Sequence, residues 1–160
     1  MPVFELNGAE FRKIAHQIIG EGHCVRFRAS GESMRPLIVN DDILEVAPLS
    51  GRRISRGDIL LVEISDGRLL AHRVVKTRHH NGISFLIKGD ACGSPDGWFE
   101  LKDVLGRVEV VEHGDQRINL SSGKEKWRAW GWIALSPWAV NLTWLPGWLK
   151  NYLRKILLGH

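Results

Sequence analysis

The sequence predicts one mainly β domain built on an antiparallel, partly closed sheet, with an N-terminal amphipathic helix and a C-terminal tail. Its 160 residues, 44% of them hydrophobic, suffice for one compact core and are too few for two domains of ordinary size. Residues 24–111 read as short extended runs separated by Gly, Pro, Asn and Asp, with no helical pattern between them. Such runs favour an antiparallel β-fold over a parallel α/β sheet.

Residues 8–19 predict the helix. Apolar side chains recur there with the spacing of one helix face, at Phe11, Ile14, Ala15, Ile18 and Ile19. Gly20 follows as a suitable end of the helix.

Six strands are predicted from alternating or continuous apolar runs rich in β-branched residues. They cover residues 25–29, 43–47, 59–64, 69–76, 83–88 and 104–111. The turn residues between them mark the connections.

The charge distribution divides the chain into a β-domain, residues 1–116, and a basic tail, residues 117–160. The tail holds seven Lys or Arg against one acidic residue, whereas the first 116 residues hold 15 basic and 17 acidic residues. A basic tail indicates an anionic partner, such as a lipid surface or a nucleic acid. The first 20 residues contain charged side chains and no continuous apolar run, so no secretory leader is predicted there.

The tail is also rich in tryptophan, with six of the seven tryptophans between residues 127 and 148. Residues 144–157 place an aromatic, apolar face beside a basic face, a pattern typical of a helix that lies in a membrane interface. Two other interpretations stay open: the tail packs on the β-domain as core, or the uncharged residues 129–149 form a spanning or re-entrant segment. We therefore expect membrane association through residues 127–158. Because the aromatic residues do not alternate with basic ones, no nucleic acid partner is expected.

Three side chains on separate β-elements could carry nucleophilic catalysis. Ser33 lies in a turn after the first strand, His72 lies within an apolar strand, and Asp90 and Asp96 lie in one turn-rich loop. A serine hydroxyl needs a base to take its proton, and a carboxylate can orient an imidazole that acts as this base. Free backbone N–H groups in the turn from Gly31 to Ser33 could receive an oxyanion. Each residue also has a structural interpretation, as a turn former or a buried, hydrogen-bonded side chain.

Five short motifs, in this order and spacing, resemble the conserved boxes of type I signal peptidases. They are SGESMRP, RGDILLVEI, AHRVV, KGDACGSPD and VLGRV, and together they extend over about residues 24–110. Because histidine stands at position 72, the sequence resembles the subclass found in archaea, the endoplasmic reticulum and some spore-forming bacteria. The resemblance implies the coiled antiparallel β-fold that these peptidases share with LexA-type peptidases.

The same resemblance implies roles for individual residues. Ser33 matches the nucleophile, His72 the general base and Asp96 the third catalytic residue, while Asp90 matches an aspartate near the site that could instead orient the base. We expect Gly31, Ser33, Met34 and Pro36 to form the oxyanion and substrate-binding segment. No metal and no other cofactor is implied.

The implied function is a serine endopeptidase that removes signal or leader peptides from precursors at a membrane surface. Ala91 stands where the family has asparagine, no N-terminal anchor is seen, and the Trp-rich tail has no counterpart in the family pattern. Two alternatives therefore stay open. One is an inactive peptide- or membrane-binding domain of the same fold, and the other is a LexA-type self-cleaving regulator.

Overall fold

The structure, a computed structural model, describes residues 8–79 and 82–120. Helix α1, Gly8–Gly20, confirms the predicted helix. Ala15 and Ile19 are buried on its apolar face, whereas Ile14 at the border of that face is 38% exposed. The helix therefore uses the predicted face to cover the sheet.

Eight strands occur within the described residues. They are β1 Val25–Arg28, β2 Ile43–Ala47, β3 Ile59–Glu63, β4 Leu69–His79, β5 Ile83–Lys88, β6 Gly97–Glu100, β7 Val104–His113 and β8 Gln116–Asn119. The six predicted strands are thus confirmed, and two short ones, β6 and β8, are additional. Unlike the equally short β1, these two strands do not alternate apolar and polar residues, so little periodicity can be detected in them.

All the strands belong to one antiparallel sheet that curls into a half-barrel. The order is β1-β2-β7-β3-β4-β5-β6, and β8 pairs with β7 outside this path. Register shifts interrupt the β2–β7, β3–β7 and β4–β5 pairs. Irregularities of this kind increase local bending and twist, which suits a curled sheet. A single 3-10 turn, Leu101–Asp103, connects β6 to β7.

Two apolar clusters fill the two sides of the central strands. The first includes buried residues of α1 and the loop after β1, and the second lies among β3, β4, β5 and β7. Strand β3 contributes to both: Ile59 and Leu61 enter the first cluster, Leu60 and Val62 the second. Because side chains alternate along a strand, β3 is apolar at consecutive positions and buried on both faces.

The predicted boundary between residues 116 and 117 falls inside β8, so residues 117–119 continue the sheet. Residues 121–160 lie outside the described residues. They include the tryptophan-rich segment and residues 127–158, which are predicted to associate with a membrane. Among the helical residues that the structure describes, none forms a segment long and apolar enough to cross a membrane.

Candidate active site

The loop after β1 is fixed on both sides of Ser33, by a hydrogen bond between its two ends and by buried side chains that follow the serine. The Ala29 N–H, where the loop begins, donates to the Asp42 carbonyl at 2.7 Å. Beyond Ser33, the side chains of Met34 and Ile38 are 4% and 3% exposed and belong to the first apolar cluster. Burial of these neighbours fixes the loop while Ser33 itself stays partly exposed.

Ser33, His72 and Asp96 form a continuous hydrogen-bonded chain. Ser33 Oγ lies 2.8 Å from His72 Nε2, and His72 Nδ1 lies 2.8 Å from Asp96 Oδ2. An ionised carboxylate only accepts hydrogen bonds, so the proton belongs on Nδ1 and Nε2 is left to accept from the serine hydroxyl. This arrangement of hydroxyl, imidazole and carboxylate meets the geometric criteria for an activated serine.

Strand β4 supplies the histidine. His72 pairs with Leu60 of β3 in the register, so its side chain lies on the same face as the second apolar cluster, at the rim of that cluster. It is 5% exposed, and its two ring nitrogens are held by the contacts with Ser33 and Asp96. Asp96 precedes β6, where its backbone N–H donates to the Ile87 carbonyl at 3.0 Å.

The two candidate aspartates occupy different environments. Asp90 binds the guanidinium of Arg73 with both carboxylate oxygens, at 2.7 Å from Nε and 2.6 Å from Nη2. Arg73 also donates from Nη1 to the Gly57 carbonyl at 2.9 Å, and both side chains of the pair are at most 4% exposed. In this geometry Asp96, and not Asp90, contacts His72, while Asp90 neutralises a buried cation.

The turn Gly89–Cys92 connects the loop that holds Asp90 and Asp96 to the backbone of Ser33. The Ala91 N–H donates to the Ser33 carbonyl at 2.8 Å. A Cβ on Gly89 would lie 2.8 Å from that carbonyl oxygen and 3.1 Å from the Ser33 Cβ. Glycine is therefore required at position 89 for this close approach, because real Cβ atoms do not come so near to a backbone oxygen.

The other residues expected in the oxyanion and substrate segment have different surroundings. The Gly31 N–H already donates to Asn40 Oδ1 at 3.0 Å, so it is not free to receive an oxyanion. Met34 is a core anchor, as described above. Pro36 is exposed and does not line the cleft described next. Of that predicted segment, Ser33 alone lies at the cleft.

An open cleft of about 890 Å³ contains Ser33, His72 and Asp96. The sequence analysis did not identify the remaining residues that line it, which are Glu63, Ile64, Ser65, Arg68, Leu70, Trp98, Phe99, Lys102 and Asp103. They come from the β3–β4 hairpin on one side and from β6 and the following 3-10 turn on the other. The adjacent aromatic residues Trp98 and Phe99 are a signal that could have indicated β6, since aromatic residues are enriched in strands. The pairing of strands that are distant in sequence was needed to bring both walls together.

Helix α1 fixes one wall of this cleft through Glu63. The Glu63 carboxylate accepts from His16 Nε2 at 2.6 Å and from Arg12 Nη1 at 3.0 Å. The hydrogen bond from His16 holds the pKa of Glu63 below its ordinary value, and Arg12 adds to this, while partial burial acts in the opposite direction. The predicted helix therefore also positions the β3–β4 hairpin.

No protein-family model matches the chain, and no curated protein matches it either.

Proposed function

We propose that this protein is a serine endopeptidase with Ser33 as nucleophile, His72 as general base and Asp96 as the residue that orients the base. The observation that carries the proposal is the chain of two 2.8 Å hydrogen bonds that joins these three side chains. All three line one open cleft, so an extended peptide has access to the hydroxyl. A purely structural serine needs neither this chain nor this access.

The proposed reaction is acyl transfer in two steps. Ser33 Oγ attacks the carbonyl carbon of the scissile amide as its proton passes to His72 Nε2. His72 then returns this proton to the leaving amine nitrogen, the C–N bond breaks and an acyl-enzyme remains. A water molecule, deprotonated by the same nitrogen, attacks the ester carbonyl carbon; the bond from this carbon to Ser33 Oγ then breaks, His72 Nε2 returns the proton to Oγ, and the carboxylate product leaves. Throughout, Asp96 accepts from Nδ1–H and stabilises the transient imidazolium.

The backbone N–H of Ser33 is the donor that we assign to the oxyanion. No hydrogen bond within the described part of the chain occupies it. The Ala91 bond to the Ser33 carbonyl fixes the peptide next to it. A donor that is fixed before the reaction lowers the energy of the developing charge without a cost for reorganisation.

The resemblance of the motifs to histidine-type signal peptidases supports precursor peptides with signal or leader segments as the substrate class. We further propose that residues 127–158 bring the enzyme to a membrane surface, where such substrates emerge. Reversing the charge of Lys150, Arg154 and Lys155 to glutamate in the full chain is expected to reduce sedimentation with anionic liposomes. Unchanged sedimentation would contradict the membrane proposal and leave the peptidase proposal intact.

The peptidase proposal is tested by co-expressing candidate precursor peptides with the wild type or with Ser33→Ala, in the presence of membranes, and measuring intact masses. A product that forms only with the wild type is the expected result. The intact mass of the enzyme itself reports on self-cleavage, which would favour the LexA-type alternative. If the wild type cleaves no precursor and leaves its own chain intact, the non-cutting binding domain becomes the better interpretation.

A further inference from the structure

The nucleophile loop contains one polar contact that the peptidase motifs do not include, between Gly31 and Asn40. The two residues face each other across the loop, with the Gly31 N–H 3.0 Å from Asn40 Oδ1. The Asn40 amide nitrogen in turn donates to Asp41 Oδ2 at 2.8 Å. Both ends of the Asn40 amide thus have a partner of the correct polarity, which defines its orientation.

We propose that Asn40 is a positioning residue for the nucleophile, acting through the backbone of Gly31; this inference rests on the proposed peptidase function. Asn40 does not line the cleft and would not touch the substrate. Its contribution is to fix the backbone two residues before Ser33, whereas the Ala91 N–H binds the carbonyl of Ser33 itself.

The conformation of Gly31 is the reason that such a contact is needed. Gly31 has φ of +101°, and a Cβ added there would meet nothing within 4 Å. Gly31 has no side chain that could pack, the space where a Cβ would lie is open, and glycine is the residue with the greatest backbone freedom. The side-chain acceptor of Asn40 replaces packing as the restraint.

The position of Ser33 depends on restraints at both ends of its loop segment. After Ser33, the buried Met34 side chain and the Ala91 N–H hold the chain. Before Ser33, the Glu32 carbonyl accepts from the Arg35 N–H at 3.2 Å within the same turn, and the restraint that joins this turn to residue 40 of the loop is the Gly31–Asn40 hydrogen bond. Without it, rotation at Gly31 moves the Ser33 N–H and Oγ together, which disturbs both the proposed oxyanion donor and the 2.8 Å contact with His72.

The test measures the labelling rate of Ser33 by a fluorophosphonate probe in the full chain, for the wild type, Asn40→Ala and the double variant Asn40→Asp/Asp41→Asn. The double variant keeps the total charge, keeps a carboxylate oxygen to accept from Gly31, and reverses the bond between side chains 40 and 41. Asparagine also tolerates the φ of +73° at position 41.

Loss of one hydrogen bond between neutral groups predicts a roughly tenfold slower maximal labelling rate for Asn40→Ala. The half-saturating probe concentration and the urea midpoint should change little, because Asn40 is exposed and makes no contact with the cleft. The double variant should label within about twofold of the wild type, since it retains the acceptor.

A wild-type rate for Asn40→Ala would overturn the positioning role, as would slow labelling of the double variant with a native urea midpoint. If Asn40→Ala does not fold, the double variant alone decides. Absence of labelling in the wild type would instead count against the peptidase proposal itself, so the two failures are distinguishable.

Discussion

Replacing Asp90 by asparagine should destabilise the fold strongly, because it leaves the buried guanidinium of Arg73 without its counter-ion. The two charge-assisted hydrogen bonds measure 2.7 and 2.6 Å, and the Arg73 side chain is 2% exposed. Removing one partner of such a buried pair costs about 3–5 kcal/mol. Asparagine keeps one acceptor oxygen, so we expect a loss of about 3 kcal/mol. That is a large part of the roughly 5–15 kcal/mol that stabilises an ordinary domain.

The assay is urea unfolding of the full chain followed by circular dichroism. With an m-value of about 2 kcal/mol/M, the midpoint of Asp90→Asn should fall by roughly 1.5 M at unchanged m. Asp96→Asn is the matched control in the same loop, because the Asp96 side chain is 24% exposed and balances no permanent charge. The urea midpoint of Asp96→Asn should stay near that of the wild type. Its rate of substrate cleavage, or of Ser33 labelling, should fall by about 10³- to 10⁴-fold, because the amide no longer selects the required tautomer of His72.

A double variant tests whether the expected loss of stability comes from the unpaired charge of Arg73 or from poorer packing at this position. The double variant Arg73→Met/Asp90→Leu replaces the pair by apolar side chains and should be more stable than Asp90→Asn alone. If the free energy of unfolding of Asp90→Asn lies within about 1 kcal/mol of the wild-type value at unchanged m, the argument that an unpaired Arg73 destabilises the fold is refuted.

Two further predictions concern the walls of the site. Gly89→Ala should destabilise the protein by about 1–3 kcal/mol and slow labelling of Ser33, since the new methyl group would lie 2.8 Å from the Ser33 carbonyl oxygen. Gly93→Ala, with nothing within 4 Å, is its control and should leave both measurements unchanged. Glu63→Gln should lower the free energy of unfolding by about 1 kcal/mol near neutral pH, through weakened contacts with α1. Because the folded-state pKa of Glu63 is depressed, this difference is complete above the pKa of the unfolded carboxyl and disappears as the pH falls through the folded pKa; a difference that grows on acidification would contradict the assignment.

The sequence was most informative where local periodicity determined structure. Helix α1 and the six predicted strands follow from apolar spacing, and their bounds differ from the predicted ones by a few residues at most. Strands β6 and β8 were not predicted because neither alternates apolar and polar residues as the equally short β1 does, and β8 lies across the charge boundary that defined the tail. Their existence depends on pairing with β5 and β7, which is a long-range property.

For the candidate site, the sequence supplied the residue types and the structure supplied their partners. Ser33, His72 and both aspartates were identified as candidates, but the choice between Asp90 and Asp96 depends on where Arg73 lies in the folded sheet. Met34 looked like part of the substrate segment and is instead buried. Asn40 carried no sequence signal, because its hydrogen bond to Gly31 exists only once the loop has closed.

Labelling by a fluorophosphonate, located by peptide mass, tests most directly whether Ser33 is an activated nucleophile. Ser65 lies in the same cleft, is exposed, and has no hydrogen bond to a histidine within the described residues, so it serves as an internal control. We predict one adduct, on Ser33, that is absent from Ser33→Ala and forms far more slowly in His72→Ala, with Ser65 unlabelled. Labelling of Ser33 that is no faster than that of Ser65, or that is unaffected by His72→Ala, would contradict the proposed catalytic mechanism.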